Sequence, residues 1–424
     1  MEYLKKQIEV GIEEDRNRLK EIVTEIIQNV REKGDRALVD YNTKFDGNAR
    51  KDLLVTREEI DAAYQEVDSG LINDMKIAAR NIEEFAKKQK STISDLEETE
   101  ITPGVFLSHR VIPIESCCCY VPGGLHPLFS SALMLAIPAK VAGVKRIAAC
   151  TPAMRGTEKV HPTTLVALDI AGVNEIYVVG GAHAIAAFAY GTQQINPVDI
   201  IVGPGNQYVT EAKRQCYGQV GIDFLAGPSE VLVIADESAD AEVIASDLLA
   251  QSEHDLKAAA ILVTTSKKLA EKVIETVEKQ LETLETADVA RQSWEKYGIV
   301  AVVDSLEEAC AFSNQYAPEH LEIQTRENKR IIPLLTNYGS MFEGELAAEV
   351  FGDYVAGTNH TLPTLRVARY SGGLFVGTFL KICTSQRLTP KGLASIANVA
   401  ERMARAEGLH AHGNAAAIRW KLLK

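Results

Sequence analysis

The chain has 424 residues, 46% of them hydrophobic and 24% charged, and a net charge of −13. A length above what one core can fill predicts at least two α/β lobes, and the negative charge excludes a general affinity for nucleic acid or anionic lipid, which both need a basic face. No apolar run reaches the roughly 18 residues of a membrane-spanning helix, and Met1 to Asp15 mixes charges where an export signal is basic and then apolar, so a cytoplasmic protein is expected.

The seven cysteines, at 117, 118, 119, 150, 216, 310 and 383, contain no Cys-x-x-Cys pair, which suits a reducing compartment. Neighbours in an extended segment point to opposite faces, so Cys117-Cys118-Cys119 cannot converge on one metal and reads as small buried hydrophobes.

In chain order, the first ninety residues read as helical. Thr56 and Glu59 form a capping box for a helix over 57–67, and Leu71, Met75, Ala78, Ile82 and Phe85 repeat at helical spacing. From about position 100, short β-branched runs at 146–150, 175–179, 199–202, 231–235, 260–264 and 299–303 alternate with helix-length stretches. That order predicts parallel sheets covered by helices on both faces, with ligands beyond the carboxyl ends of the strands. Glycine-rich turns fall there: Val121-Pro122-Gly123-Gly124, Gly180-Gly181-Ala182, Gly203-Pro204-Gly205-Asn206 and Gly227-Pro228-Ser229. None is a Gly-x-Gly-x-x-Gly fingerprint, so spacing alone does not assign a nucleotide. From Leu374 the pattern reads as helical again, with Ala394, Ile396, Val399 and Met403 on one face.

Four polar settings carry candidate chemistry. Gln251 and His254 share a face at the end of a helix predicted over 241–251 and could touch one ligand, though a surface histidine has the same signature. Glu319 and His320 follow Pro318 at the leading edge of a predicted strand, an acid–imidazole pair able to move protons, or else an ordinary surface pair. Asp353 and His360 lie in Gly352-Asp353-Tyr354 and Gly357-Thr358-Asn359-His360, and Glu407 and His412 in Glu407-Gly408-Leu409-His410-Ala411-His412. Asp353 and His412 are suitable donors for a divalent metal, and their separation in the chain neither supports nor excludes their meeting.

Taken in chain order, Tyr120-Val121-Pro122-Gly123-Gly124, Gly180-Gly181-Ala182, Gly203-Pro204-Gly205-Asn206, Ala226-Gly227-Pro228-Ser229-Glu230, Gln251-x-Glu253-His254, Ala317-Pro318-Glu319-His320-Leu321-Glu322, Gly352-Asp353-Tyr354 and Glu407-Gly408-Leu409-x-Ala411-His412 resemble the histidinol dehydrogenase family. The resemblance spans nearly the whole chain. It implies two incomplete Rossmann-like domains, 21–119 with 229–373 and 120–228, flanked by a helical extension at 1–20 and a helical tail at 374–424. It also implies a homodimer in which Glu407 and His412 reach the partner's active site.

The implied activity is oxidation of L-histidinol through the aldehyde to L-histidine with two NAD molecules. Gln251, His254, Asp353 and His412 would hold zinc, and the same four with Ser229, His320, His360 and Glu407 would contact substrate. Glu319 and His320 would be the catalytic pair. Tyr120, Asn206 and His183 would contact NAD, but His183 stands where the family carries glutamine, which predicts altered or pH-sensitive nicotinamide binding. His126 and Arg366 add positive charge near the cleft. They leave room for a relative that oxidises a small anionic alcohol such as a dihydroxypropane sulfonate. A metal-stabilised scaffold without activity is the third reading, and the intact Glu319-His320 pair argues against it.

Overall fold

The structure, a computed structural model, describes residues 1–7, 13–123 and 127–423; His126 lies outside them. Strand β1 (Glu2–Lys5) precedes a helical stretch, after which β2 (Leu96–Thr102) and β3 (Val105–Pro113) form a hairpin. Strands β4 (Ser116–Tyr120), β5 (Arg146–Thr151), β6 (Glu175–Val178), β7 (Ile200–Val202) and β8 (Gly221–Ile222) then alternate with helices. They form a parallel sheet in the order β6-β5-β4-β7-β8. Strands β9 (Glu230–Ala235), β10 (Ala259–Thr264), β11 (Ile299–Val302), β12 (His320–Gln324) and β13 (Ser340–Glu343) repeat this arrangement. Their sheet runs β1-β11-β10-β9-β12-β13, with only β1 antiparallel. In both sheets the first parallel strand is central and the chain reverses direction beside it, the switch point of a doubly wound fold.

The expected β-branched runs are strands because both faces are covered: every residue of β9 and β10 is buried. β4 is the seam between two cores. Cys117 and Cys119 pack into one and Cys118 into the other, each with no exposed surface, as the alternation of an extended segment requires. The Thr56–Glu59 capping box is present on the helix Arg57–Glu66.

Four expectations are corrected. The chain opens with a strand, because β1 completes the edge of the second parallel sheet against β11. The region after Leu374 is not wholly helical: β14 (Leu380–Leu388) pairs antiparallel with β3, so a third sheet, β14-β3-β2, joins the two parallel ones. Position 20 is no boundary, since the helix Glu13–Lys33 runs through it. The helical part of 21–119 packs on the 120–228 sheet instead of on that of 229–373. Val23, Val30, Leu38 and Leu53 lie in one of its flanking cores, and Ile60, Met75 and Ile82 in the other. Their apolar helical stripes are covered by that sheet's helices and strands.

Candidate active site

Two turns aim the central groups. Ala317, in the left-handed region at φ 57°, ends the helix Leu306–Tyr316 and turns the chain into β12, so His320 enters as its first residue with Glu319 just before it. Gly227-Pro228-Ser229 turns into β9, whose first residue is Glu230. β9 and β12 are paired neighbours, with His320 opposite Val231. The acid–imidazole pair therefore sits at the amino ends of the two switch-point strands, not at the carboxyl ends expected from the general rule for such sheets. The helix Ala241–Ser252 runs back from the far end of β9 and delivers Gln251 and His254 to the same place.

His320 is 3% exposed and ringed by acids. Its Nδ1 lies 3.1 Å from the carbonyl oxygen of Glu230 and 3.3 Å from Gln251 Oε1. Carboxylate oxygens stand 3.6 Å away on Glu349 and 3.8 Å away on Glu319. On the other side of the ring, Nε2 is 3.7 Å from Asp353 Oδ1 and has no hydrogen-bond partner. The Glu230 carbonyl is placed to accept from Nδ1–H, so that in the neutral ring the lone pair falls on Nε2. Glu319 Oε2 accepts from the Glu230 amide at 2.9 Å, and the nearby Ser229 side chain helps to stabilise the same carboxylate.

The electrostatics are one-sided. Burial pushes Glu319 up to about 7 and Glu349 up to about 8; burial and then the neighbouring Glu319 carry Glu230 to about 8. Burial opposes charge on His320, but Glu349, Glu319 and Asp353 outweigh it and hold the imidazolium well above the usual histidine range. Among the described residues no lysine or arginine pairs with these carboxyls. Side-chain atoms of His254, Glu349 and Asp353 come within 4.8 Å of one another, as metal ligands would. Gln251 Nε2, Glu349 Oε2 and His360 Nε2 are buried without partners. Each such orphan costs about 1–3 kcal/mol unless a ligand satisfies it.

Ser229, Gln251, His254, Glu319, His320, Asp353 and His360 thus gather in one chain. Glu407 and His412 do not join them: both are exposed on the tail, one capping the helix Pro390–Ala406 and the other on the helix His410–Ile418. Among the described residues neither side chain bonds to the cluster. Arg366 is exposed. Glu349 was missed by sequence reasoning, although Glu349-x-x-x-Asp353 places two carboxylates on one face of the short helix Glu349–Tyr354. Glu322 was missed too: it accepts from the Glu349 amide at 3.2 Å and shares Gln324 Nε2 with Asp247.

The cofactor candidates lie on the other parallel sheet. Tyr120 ends β4, and its hydroxyl accepts from the Gly181 amide at 3.0 Å. Asn206 caps the helix Gln207–Cys216, accepting from Tyr208 and Val209. The turn before it is clamped from below. Lys213, buried and paired with Asp223, donates to the Gly203 carbonyl, while Asp223 accepts from the Gly203 amide. At Gly203 φ is 122° and a Cβ would stand 2.3 Å from the Tyr120 carbonyl oxygen, so only glycine fits. These turns do lie at carboxyl ends of strands, as expected. His183 is 1% exposed, with Nε2 bonded to Asn42 Oδ1 at 2.9 Å and Tyr41 and Phe45 beside the ring. Burial lowers its pKa to about 3, so the pH-sensitive contact expected there finds no group titrating near neutrality.

The chain is similar over nearly its whole length to known proteins. The family model described as histidinol dehydrogenase matches residues 11–420. The histidinol dehydrogenase of Methanothermobacter thermautotrophicus is 47% identical over 92% of this chain and 91% of its own length. A histidinol dehydrogenase homolog of Shouchella clausii is 43% identical over 99% of each. The crystal structure of histidinol dehydrogenase from Elizabethkingia anophelis superposes with a TM-score of 0.92 at 40% identity, covering 99% of this chain and 95% of that one. Agreement over that length, in a fold whose polar cluster is assembled from the motifs quoted above, makes this chain a member of the histidinol dehydrogenase family of oxidoreductases.

Proposed function

We propose that this cytoplasmic enzyme oxidises L-histidinol to L-histidine through L-histidinal, passing two hydrides in succession to NAD, and that it does so with one divalent metal, zinc. The observation that carries the reading is His320, with Nδ1 held by the Glu230 carbonyl and Nε2 free among carboxylates. In the first step Nε2 takes the hydroxyl proton as the hydride leaves for NAD. In the second, Glu319, bound at the Glu230 amide, activates the water that attacks the aldehyde.

The residues fit a cation. Gln251 is fully buried with an unpartnered amide nitrogen, and a half turn of that amide offers its oxygen instead. With His254 and Asp353 it makes an N/O donor set suited to zinc, which His412 from the tail of a second copy would complete. When bound, the ion would anchor the substrate's nitrogens and offset the surrounding carboxylates, which frees His320 to be neutral at physiological pH. Ser229, His360 and Glu407 would orient the substrate, and Tyr120, Asn206 and the backbone at His183 would hold NAD. Val399, Met403, Leu409 and Ile418, exposed on the tail helices, support docking in a homodimer.

An acid-lined pocket suits a substrate with an amine and an imidazole. A sulfonated diol would meet Glu230, Glu319, Glu349 and Asp353, with no lysine or arginine paired to them among the described residues to receive it. Initial rates of NADH formation with L-histidinol and with a dihydroxypropane sulfonate, with and without chelator, test this. Chelator-sensitive turnover of histidinol alone is expected; preference for the sulfonate, or no turnover of either by metal-loaded enzyme, overturns it.

A further inference from the structure

We propose that Glu349 is itself a ligand of the metal, supplying from within one subunit a donor that lets the ion be held before the tail histidine of a second copy arrives. This rests on the reading that His254 and Asp353 hold a cation.

A ligand atom of Glu349 lies within 4.8 Å of those offered by His254 and Asp353. The carboxylate is 4% exposed, its Oε2 has no partner, and among the described residues no lysine or arginine pairs with it, while His320 Nδ1 lies 3.6 Å from its other oxygen. A buried carboxylate in that position calls for a cation or a proton. Its backbone is pinned, since Glu322 accepts from the Glu349 amide, and it shares a helix face with Asp353 one turn later. The other use open to it is to orient His320, but Nδ1–H already has the Glu230 carbonyl at 3.1 Å. Glu349 Oε1, at 3.6 Å, is the farther acceptor. His412, meanwhile, is exposed on the tail and bonded to nothing in the cluster. A single subunit therefore presents Gln251, His254, Asp353 and Glu349, four donors of the N/O type that borderline divalent ions accept.

The test is Zn²⁺ affinity of the full-length protein, stripped with chelator and titrated against a chromophoric competitor, with no turnover involved. His412→Asn should still bind one Zn²⁺. Glu349→Gln should weaken binding by roughly 10–100-fold or more, since removing even a ligand's supporting group brings that loss. The double variant should lose specific binding, and Glu349→Asp should recover part of it. Apo-protein melting curves identify any variant that has merely unfolded. Wild-type Zn²⁺ affinity in Glu349→Gln, both with and without His412, overturns the assignment if Asp353→Asn binds poorly. If Asp353→Asn and His254→Asn also bind like wild type, it is the metal site itself that has been misplaced.

Discussion

The carbonyl oxygen of Glu230 and Nδ1 of His320 stand 3.1 Å apart, joining the first residues of two neighbouring parallel strands. A backbone acceptor cannot be titrated away, so the tautomer of His320 is set by the sheet itself. His320→Asn keeps a donor near Glu230 but removes the base. The first oxidation should slow by about 10²–10⁴-fold, the usual worth of a positioned proton acceptor. Zinc content, read by atomic absorption, should not change; loss of the ion would reassign His320 as a ligand.

Glu319→Gln separates the two oxidations. The amide can still fill the space beside the Glu230 and Ser229 groups, but it cannot take a proton from water. Stopped-flow measurement should show the first equivalent of NADH forming at nearly the wild-type rate and the second lagging well behind it. Equal slowing of both phases would contradict the division of labour between Glu319 and His320.

His183→Gln tests the role of a buried imidazole. The folded-state pKa is about 3 against an ordinary value of 6.5, so the unfolded chain binds a proton that the folded chain refuses. Stability from this group is therefore complete above pH 6.5 and is lost as pH falls toward 3. At pH 5 the loss is about 2 kcal/mol, and the glutamine variant should be spared it. Urea melts of both proteins at pH 8 and pH 5 give the comparison; an identical acid-induced loss in the two would show that His183 is not the group responsible.

Stripping the metal should abolish NADH formation and restoring Zn²⁺ should return it. Because the cluster is assembled only in the folded chain, added Zn²⁺ should also raise the melting temperature of the stripped protein in proportion to the logarithm of its free concentration. A melting point indifferent to Zn²⁺ would place the ion, if any, elsewhere.

The parallel sheets were legible in the sequence because β-branched runs buried on both faces leave an unbroken apolar signature. β14 was not, since its polar residues Lys381, Thr384, Ser385, Gln386 and Arg387 are mostly exposed and carry no such signature. β1 was missed for a similar reason: four residues at a sheet edge are too few to show a period. Gln251, Glu319 and His320 were legible through their motifs, whereas Glu349, one turn before Asp353, is unremarkable until the fold shows it buried. The end of the strands on which the cluster sits could not be read either, because the general rule names the opposite one.

The antiparallel pairing of β14 with β3 ties the last helices to a hairpin that directly precedes the first parallel strand. The helix leading to His412 therefore starts from a braced point, where Thr389 donates to the Gly104 carbonyl at the hairpin's turn. Shortening that hairpin would misplace a distant histidine without touching any group that meets substrate.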